Sequence, residues 1–241
     1  MREINLPDNI KKTMDEFLRL LKGAYGDGLV SVVLYGSAAS GDYSGRHSNI
    51  NMAVILKDAS IGSLSKMSAF INKRKFMIIN PVFFTEDYIK RSTDVFPIEF
   101  IDMKENSLAL YGKDLFKDID IDIKNLRFQC EQELKSKIVN MKMAFIRSAN
   151  VSMLKSILFK SLTSSLHILR NLVRLKGKEP SYARTDILKE ISLEFGVEIA
   201  PLQDILDARS GNLNLGREKI ASLFTRLVET LEAISDKVDR L

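Results

Sequence analysis

The segment from Leu34 to Leu56, Leu-Tyr-Gly-Ser-Ala-Ala-Ser-Gly-Asp-Tyr-Ser-Gly-Arg-His-Ser-Asn-Ile-Asn-Met-Ala-Val-Ile-Leu, constrains the fold more than any other part of the chain. It closes one apolar, β-branched run, Leu29 to Tyr35, and opens a second, Asn49 to Leu56, with a Gly- and Ser-rich connection between them. Runs of this length and composition read as buried strands, here paired to each other through the connection. A Gly-Ser pair directly after a buried strand has a physical use. Gly36 lets the backbone approach a phosphate closely, and backbone N–H groups with the Ser37 hydroxyl donate to its oxygens. On the second strand alternate side chains share a face, so positions 49 and 51 point the same way. Two carboxylates there, with a third from a neighbouring strand, would hold a pair of Mg²⁺ ions that neutralise triphosphate charge and activate an attacking hydroxyl. The residues present are Asn49 and Asn51, which carry no charge.

The flanking sequence supplies the rest of an αβ unit. Ile10, Met14, Phe17, Leu18 and Leu21 recur at helical spacing after Pro7, which predicts a helix over 8–22 and a turn over 23–28. Leu64 to Lys75 reads as a helix and Phe76 to Phe84 as a strand, in which Pro81 demands an edge position or a bulge. Thr85 opens a short helix with a capping pattern, Pro97 to Met103 reads as a further strand, and Ser107 to Leu110 leads into a turn at Tyr111-Gly112. From about Asp120 strand signals vanish. Ile123, Leu126, Cys130, Leu134, Ile138, Met141 and Phe145 mark one long amphipathic helix, and a second runs from Ser152 to Leu175 with a glycine stop at Gly177. Shorter helical segments follow over Thr185 to Phe195 and Pro201 to Ala208, and the last helix starts near Gly216. The expected fold class is α+β in two domains: a mixed sheet with helices over 1–118, then an all-α helical bundle over 119–241.

Composition narrows the setting. Hydrophobic residues make up 45% of the 241 and charged residues 28%, the balance of a soluble globular protein rather than a disordered one. No apolar run approaches the roughly 18 residues that cross a bilayer, and the N-terminal stretch lacks the apolar core of a signal peptide. Cys130 is the single cysteine, which rules out an intramolecular disulfide and fits a reducing compartment, so a cytoplasmic location is expected. A net charge of +5, with Lys and Arg interspersed among Asp and Glu, argues weakly for nucleic acid and suits an anionic small ligand equally well.

Gly36-Ser37, Gly41 and Ser48-Asn49-Ile50-Asn51 together resemble the Gly-Ser then Asp-x-Asp signature of the polymerase-β-like nucleotidyltransferases. The similarity is to bacterial types with a helical C-terminal domain, the aminoglycoside (kanamycin) and minimal nucleotidyltransferases. The stretch Pro97 to Leu115 resembles the segment that carries their third strand. The resemblance covers residues 1 to about 120, and the bundle by architecture only. It implies an αβ domain that transfers a nucleotide from a nucleoside triphosphate to an acceptor, with Gly36, Ser37 and Ser48 at the nucleotide. It also implies acids where this chain has Asn49 and Asn51. An amide offers a single neutral oxygen to a cation, and losing both charges from a site for two dications is expected to abolish metal-dependent transfer. Three candidates remain for a third acid. Glu99 is preferred, because Ile98 and Phe100 would then point into the core. Asp102, on the opposite side of the expected strand, replaces it if the strand is bulged. Asp42 could approach from the loop, although it also reads as a solvated turn residue.

These residues lead to a catalytically degenerate, nucleotidyltransferase-like protein with no assigned catalytic residue, acting as a nucleotide-binding or regulatory and scaffolding pseudoenzyme. The alternative is an active nucleotidyltransferase that modifies a small hydroxyl acceptor such as an aminoglycoside. Mg²⁺ enters only on that alternative, recruited by Glu99, Asp102 or Asp42. A third reading makes the bundle the working part, as a docking module or homodimer interface. His47 reads as a solvated loop residue and His167 as a satisfied core or interface residue. The arginine preceding His167 is Arg147, too distant for the Arg-spacer-His motif of RNases that accompany minimal nucleotidyltransferases. Cys130 lies on an apolar stripe without a histidine nearby in sequence, which disfavours a nucleophile.

Overall fold

The computed structural model describes residues 6–41, 43, 49–181, 183–211 and 216–241. In the first unit, Met1–Asp122, helix α1 (Asp8–Tyr25) follows Pro7 and buries Ile10, Met14, Phe17 and Leu21 along one stripe. It runs beyond the expected end at Lys22 because Gly23 is absorbed into the helix, and Gly26–Gly28 alone form the turn. Strand β1 (Leu29–Tyr35) leads into a single-turn helix α2 (Ser37–Ser40), and the chain returns as β2 (Ile50–Leu56). Helix α3 (Ile61–Ile71) is capped by the Ser60 hydroxyl, which accepts from the Ser63 N–H. Strand β3 (Ile79–Phe84), helices α4 (Glu86–Arg91) and α5 (Pro97–Glu105), and strand β4 (Ser107–Tyr111) complete the unit. Thr85 caps α4, as its position in the sequence predicts.

The four strands form one mixed sheet in the order β3-β2-β1-β4. β1 is antiparallel to β2 and β4, whereas β2 and β3 run parallel. Pro81 therefore sits on an edge strand, where its missing N–H breaks no ladder. Val32, Leu34, Met52, Val54 and Leu56 face Phe17 and Leu21 of α1, Met67 of α3 and Phe76 in one buried cluster. Val33, Ala53 and Ile55 face Ile89, Phe100, Met103 and Phe116 in a second. With both faces covered, β2 needs apolar residues on both sides, which is why Ile50 to Leu56 reads as an almost continuous apolar run.

One expected element is corrected. Pro97 to Met103 is not a strand but most of helix α5, with Pro97 in the first turn and Pro97, Ile98, Phe100 and Met103 buried. Proline in that position suits a helix start, because its fixed φ is helical and its absent N–H is one a helix leaves unpaired. The Ile98, Phe100 alternation imitates a strand over too few residues to decide between the two periods. Glu99 and Asp102, three residues apart, consequently lie on the same side of a helix rather than on opposite faces of a strand.

The second unit, Ile123–Leu241, is helical among its described residues: α6 (Ile123–Arg147), α7 (Val151–Leu175), α8 (Arg184–Phe195), α9 (Ala200–Ser210) and α10 (Arg217–Val238). α6 buries Leu126, Cys130, Leu134, Ile138 and Met141, while the ends of its expected stripe, Ile123 and Phe145, are exposed. Asn150 caps α7, accepting from the Met153 N–H at 2.9 Å, and Gly177 ends it with φ +72°. Leu227, Leu231, Ile234 and Val238 of α10 are buried. Inside α7 the buried Arg174 donates to Asn171 Oδ1 at 2.6 Å, and Asn171 Nδ2 donates to the His167 carbonyl at 2.9 Å. Among the described residues, no helix is long and apolar enough to cross a membrane.

The return from β4 depends on Gly112. Its φ is +70°, and a Cβ there would stand 2.2 Å from the Val30 carbonyl oxygen. Beside it, the fully buried Ser31 hydroxyl lies 2.9 Å from the Tyr111 carbonyl oxygen and 2.5 Å from that of Lys113, tying the turn to β1. Gly112→Ala adds a left-handed backbone cost of about 1–2 kcal/mol to a collision with rigid backbone. Urea denaturation is expected to show a loss of at least about 2 kcal/mol with an unchanged slope.

Candidate functional site at the end of the sheet

The register of the strands assembles a polar row. Tyr35 pairs with Asn51 on one side and Ser107 on the other, and Asn51 pairs with Asn80. Asn80, Asn51, Tyr35 and Ser107 thus cross one end of the sheet, on the face that Val33, Ala53 and Ile55 carry into the core. Ser107 Oγ donates to Asp114 Oδ2 at 2.7 Å.

Gly36 makes the turn out of this row. Its φ of 73° and ψ of −150° belong to a region that only glycine enters readily. A Cβ on it would meet Asn51 Nδ2 at 3.3 Å, so the bare backbone and the amide of Asn51 share this space. The Gly36 N–H donates to the Asn106 carbonyl at 3.1 Å. Its own carbonyl accepts from the N–H groups of Ala39 and Ser40 at 2.9 and 3.0 Å, which closes α2. A turn closed in this way does not use the N–H groups of Ser37 and Ala38 for its own bonding.

Asn51 is half-buried, and its Oδ1 accepts from Asn80 Nδ2 at 3.2 Å. Asn49 is exposed just before β2. Glu99 and Asp102 lie on α5, whose Phe100 and Met103 pack against the same face of the sheet. Both carboxylates act on Tyr35, whose phenol is pushed up to about 12 by burial first and then by the charges of Asp102 and Glu99. Ser48 and Asp42, expected at the nucleotide and as a possible acid, lie outside the described residues, as does His47.

Mg²⁺, the cation that the sequence resemblance implies, does not fit the described side chains. Asn49 and Asn51 present neutral oxygens, and that of Asn51 is already bonded to Asn80. Among the described residues, no three His, Cys, Asp or Glu side chains gather closely enough to hold a metal ion. Tyr35 and Asn80 are the members of this row that the sequence does not reveal as site residues. Tyr35 had a signal, being the one polar side chain at the exit of an apolar strand directly before Gly-Ser. Asn80 had little, because its approach to Asn51 depends on a parallel pairing reached through α3.

The other candidates separate from this row. Cys130 is fully buried in the second unit, and its thiol is pushed up to about 12 by burial and the Glu133 charge, against an opposing effect of Arg174. His167 is half-buried on α7, with its carbonyl bonded to Asn171.

No protein-family model and no curated protein matches this sequence. Among solved structures, the chain is similar to the spectinomycin adenyltransferase AAD(9) from Enterococcus faecialis, crystallised with ATP and spectinomycin. The similarity has a TM-score of 0.63 at 12% identity, over 92% of this chain and 99% of that one. The chain has a nucleotidyltransferase-like α+β fold, with a mixed sheet followed by a helical region. At that identity the likeness is one of fold.

Two titrations test this environment. An unfolded tyrosine ionises near 10 and Tyr35 near 12, so its contribution to stability is complete below about pH 10 and is lost as pH rises towards about 12. Phenolate absorbance should show a late-titrating tyrosine that disappears in Tyr35→Phe and titrates earlier in Glu99→Gln, since removing a negative neighbour favours the phenolate. Cys130 should resist a disulfide reagent at pH 8 in the native protein and react fully after unfolding, because its buried thiol stays protonated.

Proposed function

We propose that this chain is a degenerate nucleotidyltransferase, a pseudoenzyme that binds a nucleotide and acts through binding rather than through metal-dependent transfer. The observation that carries this reading is the chemistry of the β2 end. Amides occupy positions 49 and 51, and Asn51 spends its oxygen on Asn80 beside Gly36. A nucleoside triphosphate is the favoured ligand, since the fold is that of a protein crystallised with ATP. The Ser37 and Ala38 N–H groups and the Ser37 hydroxyl, at the turn that Gly36 makes, are the donors that would receive its phosphates, with Ser48 as a further expected contact.

A second reading is favoured by one specific observation. Glu99 and Asp102 bring two carboxylate charges to Tyr35 from α5, and the similar structure is an adenyltransferase. An active enzyme would have to recruit Mg²⁺ with that helix in place of acids on β2, and transfer a nucleotide to a small hydroxyl acceptor such as an aminoglycoside.

Calorimetric titration of ATP and GTP, in Mg²⁺ and in EDTA, separates the two. The pseudoenzyme reading expects affinities that agree within about threefold with and without Mg²⁺, and no pyrophosphate release with spectinomycin or kanamycin present. Binding that requires Mg²⁺ and is accompanied by pyrophosphate release would establish the transferase. Absence of nucleotide binding in both conditions would overturn both readings.

A further inference from the structure

If positions 49 and 51 are metal positions, a third ligand is expected from a strand beside β2, and of its two neighbours β1 sets Tyr35 and β3 sets Asn80 level with Asn51. β3 runs parallel to β2, places Asn80 level with Asn51, and brings the two side chains to 3.2 Å. We propose that Asn80 is the third position of this site, so that Asn49, Asn51 and Asn80 form an all-amide set where a divalent-cation site would carry three carboxylates. This rests on the reading of 49 and 51 as metal positions, and extends it to a residue on another strand.

The chemistry of the pair supports a joint replacement. Two carboxylates this close repel each other unless a cation or a shared proton lies between them. Two amides attract, because one donates to the other. Within the Asn51–Asn80 pair the N–H groups outnumber the carbonyl oxygen left over, so the lining is richer in donors than in acceptors. Such a lining accepts an anionic oxygen more readily than a divalent cation. Glu99 and Asp102 do not complete it from β3, because they stand on α5.

The test is direct Mn²⁺ binding, read by electron paramagnetic resonance of the free ion and by thermal unfolding in Mn²⁺ and in EDTA. The proteins compared are the wild type, Asn49→Asp/Asn51→Asp, and the triple variant that adds Asn80→Asp. The wild type is expected to bind no Mn²⁺ at millimolar concentration and to melt at the same temperature in both conditions. The triple variant is expected to bind Mn²⁺ at least about tenfold more tightly than the double variant. It should also melt roughly 5 °C or more higher in Mn²⁺ than in EDTA, where its carboxylates repel one another. A triple variant no tighter than the double would remove Asn80 from the site. Wild-type binding equal to that of the triple variant would overturn the proposal, as would a triple variant that stays unfolded with Mn²⁺ present. Because Mn²⁺ alone is the probe, failure of nucleotide binding leaves this result independent.

Discussion

The side chains of the row Asn80–Asn51–Tyr35–Ser107 stand together because β3, β2, β1 and β4 share one register. That register is held by the core rather than by the row itself. Slipping β2 by one residue would turn Ile50, Met52 and Val54 away from α1 and α3 and drive Asn51 into the apolar cluster they leave. A side chain of the wrong volume on either packed face costs about 1–3 kcal/mol, as much as or more than the net value of an amide–amide hydrogen bond. The two buried faces thus select the alignment, and the polar end of the sheet inherits its geometry. Irregularities at Leu29/Ser31 and Val32/Val33 let β1 keep both partners without disturbing the pairing at Tyr35.

Charge at this end comes from helix α5 and from Asp114, which accepts from Ser107, instead of from the strands. β2 and β3 contribute amides, whereas Glu99 and Asp102 on α5 set the field that Tyr35 experiences. A phosphate-bearing ligand of the kind proposed would be repelled from the α5 side and would find its donors in the Ser37 and Ala38 N–H groups and the Asn51 amide. The polarity of this end is therefore graded across the sheet, from neutral amides on β2 and β3 to negative charge over β1. A tetrahedral anion and a cationic acceptor would be drawn to opposite ends of such a gradient.

Much of the fold was legible because its signals are local. The bounds of β1 follow from an apolar run closed by Gly-Ser, Gly177 marks the end of α7, and of the edge or bulge that Pro81 demands the structure has the edge. The reading failed at Pro97 to Met103, where Ile98 and Phe100 alternate as in a strand while Pro97 signals a helix start. The failure carried into the site, since the side on which Glu99 and Asp102 stand depends on the period of their element. Gly36 and Asn51 were visible because strand and loop are contiguous in sequence. Asn80 was not visible, because no local pattern reports which residue of β3 stops opposite Asn51. Tyr35 was read as the last residue of a strand, and its perturbed phenol arises from helix α5 packed against the sheet.

A likeness of fold at 12% identity is what a sheet held by apolar volume on both faces permits. A sheet covered on both faces requires apolar volume and little else, so its sequence drifts while its register persists. The strand ends face a narrower problem, since β2 and β3 must bring polar side chains to within 3.2 Å of one another. Carboxylates solve it with a cation between them, and amides solve it with a hydrogen bond. An intermediate with one carboxylate and one amide is also stable, because the amide N–H donates to the charged oxygen more strongly than to a neutral one. Single substitutions can therefore carry such a pair from one solution to the other without passing through an unpaired charge.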